Sequence, residues 1–445
     1  MKVAGLFAGR RTSLGFPPAK DLVGDGFNPH FPKSEQYENV RNRFGAQRER
    51  STMKVVGLFA GIGGFELGMA MAGHQTSMLC EIWEPARAVL AVKNPGVQLE
   101  RDVVELPRLP SETEVVVGGF PCQDLSQAGA TAGIGGRRSG LVGHVFRLLD
   151  EQRAPWVILE NVSFMLQLDS GRGLRALVEA FEERGYRWAY RVVNSMAFVP
   201  QRRERVLFVA TITEIDPATV LCADDVLPPE QSTSLSTHAH GFYWTEGIRG
   251  LGWADDAIPT LKNGSTVGIA SPPAILLPNG RVVTPDIRDA ERLQGFEPDW
   301  TEAAAAVGRA SFRWSLVGNA VTVPVAKWLG KRLANPGFYE IDRDGEIVSG
   351  GRWPRAARFD GTRRRRVEIG AFPVWAPRPS LAKFLRHDGK PLSARATRGF
   401  LSRTERSTLR FAPGFLESLR RHLDRVERAG IPVPAEFKAS AVAAE

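Results

Sequence analysis

The spacing of apolar and polar positions divides the chain into stretches of different texture. Residues 1–52 keep no period and are rich in Gly, Pro, Asn and Arg, which predicts a poorly ordered extension without a packed core. Residues 54–59 (Lys-Val-Val-Gly-Leu-Phe) are a short, β-branched run ending in glycines, the pattern of a strand followed by a tight turn. Phe65–Met71 then reads as a helix start, and Ser77–Cys80 and Val115–Val117 read as strands. Trp156–Leu159 reads as a buried strand, Leu174–Arg184 as an amphipathic helix, and Arg205–Ala210 as a closing strand. Strands separated by helices predict an α/β chain with a parallel, doubly wound sheet over residues 53–210.

From about residue 211 to 285 helical periodicity is lost. Gly, Pro, Ser and Thr become frequent, and aromatic residues cluster at Phe242, Tyr243, Trp244 and Trp253, which predicts a smaller, loop-rich domain. Helical texture resumes at Asp286–Gln294 and Val323–Leu333, so 286–340 is expected to return to the main domain. Beyond 341 come a Gly-Thr-Arg-Arg-Arg-Arg run (361–366) and an amphipathic helix with Leu416, Leu419, Leu423 and Val426 on one face, ended by Gly430 and Pro432. That segment, 341–445, is expected to be a basic helical extension. Residues 1–9 nearly copy residues 53–61 but continue into Arg10-Arg11-Thr12-Ser13 where the second copy has Ile62-Gly63-Gly64-Phe65, so the first copy reads as a vestigial duplication or a misassigned start, with Met53 a candidate for the natural start.

Charge sharpens this layout. Residues 341–445 carry 22 Lys and Arg against 12 Asp and Glu, while the rest of the chain carries 36 against 37. The basic excess therefore sits in the C-terminal quarter, as expected of a segment that meets a polyanion. The three cysteines, Cys80, Cys122 and Cys222, are too widely spaced for a CxxC zinc site and too few for a disulfide scaffold, and no metal is expected. No apolar run approaches the roughly 20 residues that span a bilayer, and the N-terminus has no secretory signal pattern, so a cytoplasmic protein is expected.

Candidate chemistry gathers at the predicted strand ends. Phe59-Ala60-Gly61-Ile62-Gly63-Gly64 follows a strand and opens a helix, where glycines let the backbone approach a ligand. Glu81, about twenty residues on, suits the two hydroxyls of a ribose; Trp83 can stack on a base, and Asp102 follows another apolar stretch. Together they describe a nucleoside pocket. Gly118-Gly119-Phe120-Pro121-Cys122-Gln123 places a cysteine on a turn after a strand, the position of a nucleophile, and the glycine-rich residues 129–140 suit a mobile lid over a phosphate backbone. Glu160, at the end of its strand, suits an acid whose pKa is raised in a desolvated pocket. Gln201, Arg203 and Arg205 alternate in an extended segment, so they share a face that calls for carboxylate or phosphate.

The set resembles the C5-cytosine DNA methyltransferases. The matching pieces are FAGIGG, Glu81-Ile82-Trp83, Asp102, GGFPCQDLS, ENV, QRRER, Glu291–Phe296 and Gly318-Asn319-Ala320-Val321, in the family's order over about 54–328. The resemblance implies a Rossmann-like sheet that binds S-adenosyl-L-methionine, with a target-recognition domain over 211–285. It also implies transfer of a methyl group to C5 of cytosine in a specific double-stranded DNA sequence, on a flipped base. Phe59, Gly61, Gly63 and Gly64 would cradle the methionine side of the cofactor. Glu81 would hold the ribose, Trp83 and Asp102 the adenine, and Leu141, Asn319 and Val321 would complete the pocket. Cys122 would be the nucleophile, Glu160 would act at cytosine N3, and Arg203 and Arg205 would orient Glu160 and the base. The Phe120 carbonyl would accept from the cytosine amine, with Pro121, Gln123, Ser126 and Gln201 as further substrate contacts. A monomer in a restriction–modification setting, with a cognate restriction endonuclease as companion, or one that serves epigenetic modification, and in either case no membrane, is the implied context. Two alternatives stay open in the sequence: the same chemistry on RNA, and a catalytically silent DNA-binding relative. The segment Thr284–Asp289 is slightly longer than the family's usual spacing.

Overall fold

A strand buried on both faces needs apolar residues at every position, which the run from Val55 to Leu58 supplies. In the computed structural model, which describes residues 52–120, 140–262, 272–348 and 352–429, it forms β1 (Lys54–Leu58). There follow β2 (Gln75–Cys80), β3 (Gln98–Glu100), β4 (Val115–Gly119), β5 (Trp156–Val162), β6 (Arg187–Asn194) and β7 (Glu204–Thr211). Between them lie helices α1 (Gly64–Met71), α2 (Glu84–Lys93), α3 (Leu141–Glu151) and α4 (Arg172–Glu183), and later come α5 (Phe312–Asn319) and α6 (Val323–Ala334). Alternate side chains leave a strand on opposite faces. Val56, Leu58, Val116, Val157 and Leu159 therefore pack with α3 and α4. Val55, Val115, Val117 and Ile158 pack with Phe65 and Met69 of α1 and with Val325, Ala326 and Leu329 of α6. The poorly ordered extension expected at 1–52 lies, except for Thr52, outside the described residues.

Strands β3-β2-β1-β4-β5 are parallel neighbours, and the strand order reverses between β1 and β4. At such a switch point the crevice beyond the strands' carboxyl ends is the usual place for a ligand. The parallel expectation stops at β5. Strand β7 runs antiparallel to both β5 and β6, because residues 195–203 are too few to make the crossover a parallel pair needs.

The segment beyond 341 differs from the helical appendage expected of it. Strands β8 (Asp344–Gly345), β9 (Ala356–Phe359) and β10 (Arg364–Val367) extend the sheet in the order β8-β10-β9-β6. The arginine run thus largely forms the strand next to the sheet's edge, and Arg364 is neutralised by Glu182 at 2.7 Å. Further on, Lys390–Pro391 joins a second sheet with 254–255, 240–242, 274–276 and 282–284. Two helices, α7 (Ala394–Glu405) and α8 (Phe415–Arg428), close its core through Phe400, Phe415 and Leu419, which meet Phe242, Leu276 and Val282. Conversely, Ala218, Val220 and Leu221 pack in the main core, so the smaller sheet takes nothing from the first part of 211–285. No described helix is long and apolar enough to cross a membrane.

Buried arginines lock the late strands to the early ones. Arg191 of β6, fully buried, donates to the Gly370 carbonyl at 2.8 Å and pairs with Asp225 at 2.8 Å. Arg358 of β9 bridges Asp216 at 2.8 Å and Asp344 at 2.5 Å. Burial alone would raise the Asp344 carboxyl, but hydrogen bonds from Arg358 and Tyr339 outweigh it and hold it below its ordinary value. Its contribution is therefore present above the unfolded carboxyl pKa of about 4 and fades as pH falls through the lower folded value. Arg358→Ala is expected to cost about 3 kcal/mol, because it strands two carboxylates that are largely enclosed. The check is a lower urea midpoint with an unchanged slope. A chain ending at residue 340 is expected to yield no soluble folded protein; recovery of a cooperative unfolding transition from it would make the late strands dispensable.

Candidate active site

The turn after β1 is built from backbone that resists most side chains. Phe59 and Gly61 adopt φ of 54° and 57°, and Gly63, at 83°, caps α1. Gly64 lies so close to the 320–322 segment that a Cβ there would stand 2.5 Å from the Val321 carbonyl oxygen. The turn is tied to the end of β2 by two bonds: Ala60 N–H donates to the Cys80 carbonyl at 3.1 Å, and Gly61 N–H to Glu81 Oε2 at 2.8 Å. The other Glu81 oxygen accepts from Trp83 N–H at 2.8 Å. Each oxygen keeps a second lone pair, so the carboxylate is oriented and still able to accept from a pair of hydroxyls. Trp83 is half-buried and meets Phe312 edge-on, with ring centroids 5.5 Å apart. Asp102 accepts from Val104 N–H at 2.9 Å and lines a cavity of about 490 Å³ with Met78, Glu100 and Leu106. Leu141, half-buried, opens α3; Asn319, exposed, closes α5.

Glu160 stands beside Gly119 in the β4–β5 register, and a Cβ on Gly119 would lie 3.5 Å from Glu160 Oε2 and 4.0 Å from Val321 Cγ2. The end of β4 thus lies between Glu160 and the Asn319–Val321 segment. Glu160 is 8 % exposed. Arg205 Nε lies 2.9 Å from its Oε1, yet no donor is aligned on that oxygen. The pair is an ion pair that leaves the oxygen's lone pairs open.

Gln201 and Arg203 take partners that the alternating pattern does not suggest. Gln201, fully buried, donates to the Leu293 carbonyl at 2.9 Å and accepts from Leu261 N–H at 2.9 Å. Arg203 donates to the carbonyls of Leu261 (3.1 Å), Gly318 (3.2 Å) and Ala320 (2.8 Å). Only Arg205 of the three meets a carboxylate. Burial, and then the neighbouring Arg205 charge, lowers the Arg203 pKa to about 9, so it stays charged at neutral pH. The face expected to meet anions is covered at two of its three positions by the 261 and 318–320 segments, which are distant in sequence.

Asn161 had no assigned role in the sequence, yet its Nδ2 donates to the Phe120 carbonyl at 3.0 Å and fixes that oxygen's direction. Its place next to Glu160 was the one available signal. Pro121, Cys122, Gln123 and Ser126, and the loop at 129–139, lie outside the described residues. Cys80 and Cys222 are free and buried, and burial pushes both thiols up to about 12, so neither supplies a thiolate at neutral pH.

Residues 53–240 match the family model of the C-5 cytosine-specific DNA methylases. The chain is 46% identical over 387 residues to the Type II methyltransferase M2.BsuMI of Bacillus subtilis (strain 168), covering 84% of this chain and 99% of that protein. It is 24% identical over 367 residues to the Type II methyltransferase M.Sau96I of Staphylococcus aureus, covering 70% of this chain and 82% of that one. Among solved structures, the S. pombe Dnmt2 methyltransferase matches with a TM-score of 0.47 at 15% identity, over 64% of this chain and 98% of that chain. With M2.BsuMI 46% identical and aligned over nearly its whole length, the chain belongs to the C-5 cytosine-specific DNA methylase family and is a DNA cytosine-5-methyltransferase.

Proposed function

We propose that the protein methylates C5 of a cytosine in a specific duplex DNA sequence through a covalent Cys122 adduct on a flipped base, in the cytoplasm and as part of a Type II restriction–modification pair. The observation that carries this reading is Glu160: a nearly buried carboxylate with open lone pairs, held by Arg205 at a strand end beside Gly119. S-adenosyl-L-methionine fits the residues present, because Glu81 keeps free lone pairs and Gly64 leaves no room for a side chain between turn and Val321. Phe59, Gly61, Gly63, Gly64, Glu81, Trp83, Asp102, Leu141, Asn319 and Val321 would hold it, and when bound it supplies an electrophilic methyl group.

The chain's own residues make cytosine reactive. Cys122 follows Phe120 by two residues, and the other two cysteines are disabled by burial. Its thiolate adds to C6, breaking the C5–C6 π bond, and Glu160 stabilises the adduct at N3 while the electron pair develops on C5. Once C5 carries the methyl group, its proton leaves to a base, the double bond reforms and the thiolate is expelled. The Phe120 carbonyl, aimed by Asn161, accepts from the exocyclic amine. The base must leave the duplex for these contacts.

The DNA flanks are read as lying on the smaller sheet and its two closing helices. Residues 390–429 hold ten Lys and Arg against four Asp and Glu, and Arg420, Arg421, Arg425 and Arg428 of α8 are exposed. Arginines so placed suit phosphates, which position a duplex without reading it.

Cys122→Ala is expected to abolish methyl transfer and leave cofactor affinity nearly intact, and duplex DNA with 5-fluorocytosine at the target should trap the wild type covalently; turnover by the alanine variant would sink the assignment. Glu160→Gln is expected to slow the chemical step by about 10² or more with DNA binding retained. Should single-turnover rates on the bound complex stay normal, Glu160 is structural. Replacing Arg420, Arg421 and Arg425 by Gln is expected to flatten the log–log salt dependence of DNA binding by about 0.9 for each phosphate left without its arginine, with the methylated sequence unchanged. The same change at Arg363–Arg366 is expected to leave that slope alone and lower stability instead, and the reverse pattern would move the DNA to the main sheet's edge.

A further inference from the structure

The segment that returns from the smaller sheet to the main one touches the walls of the nucleoside pocket at three successive places. Trp300 Nε1 donates to the Ile62 carbonyl of the glycine turn at 2.9 Å. Phe312 meets the ring of Trp83 with centroids 5.5 Å apart and planes inclined at 64°. Val321 lies against Gly64, where a Cβ would stand 2.5 Å from its carbonyl oxygen. The first and last contacts act on the backbone of the turn. The middle one falls on the side chain assigned to the adenine. Phe312 lies between Glu291–Phe296 and Gly318–Val321, the two stretches that carry the family resemblance, and belongs to neither.

Trp83 is a plane that has to be aimed. Its N–H donates to Glu81, and its carbonyl accepts from Ala86 and Arg87 at 2.9 and 3.0 Å. These bonds fix the backbone at the start of α2 and leave the side-chain torsions to be settled by packing. The ring rests against the cluster that holds Ile62, Ala86 and Leu316, and Phe312 is set across it in the inclined geometry that aromatic pairs favour.

Phe312 is itself held firmly. Its N–H donates to the Arg309 carbonyl at 2.8 Å, and its ring fills the space over Gly308, where a Cβ would stand 2.6 Å from Cδ2 and 3.6 Å from Pro85 Cγ in α2. The next residue, Arg313, donates to Thr301 Oγ1 at 2.9 Å, to the fully buried Glu291 at 3.0 Å and to Asp299 at 2.9 Å. The start of α5 is therefore anchored by a guanidinium, and at its far end the same helix carries Asn319.

We propose that Phe312 is a positioning residue for the cofactor's adenine: it acts through Trp83, holding the indole in the orientation that stacks on the base. The proposal rests on the cofactor reading of Trp83 given above. Acting at the nucleoside end, Phe312 contributes to cofactor binding and not to the transfer step.

Phe312→Ala removes the ring and keeps a good helix former at the start of α5. The Kd for S-adenosyl-L-homocysteine, measured by calorimetry, is expected to rise about threefold to tenfold, the worth of one aromatic pair. KM for the cofactor should rise by the same factor, with kcat unchanged. Phe312→Tyr, which keeps the ring, should restore the affinity, and Phe312→Leu should not. Trp83→Ala is made alone and together with Phe312→Ala. The double variant should bind no more weakly than Trp83→Ala, because without the indole Phe312 has nothing to aim. Additive losses overturn the proposal, as does a Phe312→Ala variant that binds like wild type or loses only kcat. Recovery of both the affinity and the unfolding midpoint in Phe312→Leu overturns it too, since apolar bulk alone would then suffice. If Trp83→Ala binds the cofactor as well as wild type does, the reading of Trp83 fails, an outcome distinct from an indifferent Phe312→Ala beside a weakened Trp83→Ala.

Discussion

A guanidinium shut away from water must spend its donors on the protein, and in this molecule that requirement organises the site. Arg203 is 1 % exposed and binds carbonyls at 261, 318 and 320. One side chain therefore joins the end of the main sheet, the loop leaving the smaller sheet and the segment that presents Asn319 and Val321. Because Val321 in turn abuts Gly64 and Gly119, the glycine turn and the strand with Glu160 inherit their spacing from the same anchor. Arginine suits the task because its planar fork can serve three carbonyls at once, which an ammonium on a flexible stem does poorly.

Neighbouring residues of one alternating segment have thus been put to different uses. Gln201 and Arg203 hold the scaffold; Arg205 alone turns its charge on a carboxylate. This division keeps one cation beside Glu160, while the other is held by backbone carbonyls.

How much of this could be read from the sequence depends on whether the cause was local. Glu81 and Glu160 were legible because each ends an apolar run, and strand ends at a switch point are where ligands sit. The glycine turn was legible for the same reason. The covering of Gln201 and Arg203 was not, since it depends on residues 261, 293 and 318–320, which no local pattern connects to 201–203. The late strands were hidden by composition: four consecutive arginines conceal alternation, so that β10 shows a single apolar inward residue, Val367. Charge marked the segment as unusual but pointed to an appendage, whereas the arginines largely serve pairing, one strand in from the exposed sheet edge.

That edge also sets an order of events during synthesis. Strand β6 is complete once Asn194 has been made, but its outer neighbour β9 begins at Ala356, and the buried Arg191 finds the Gly370 carbonyl later still. A nascent chain thus carries an unpaired strand edge and an unsatisfied guanidinium through the making of more than a hundred and fifty further residues. Long-range closure of this kind slows folding and leaves the partly made sheet open to wrong partners. The segment from 356 to 370 is in this sense the closing step of the first domain, and the protein can reach its working form only after Gly370 has been made.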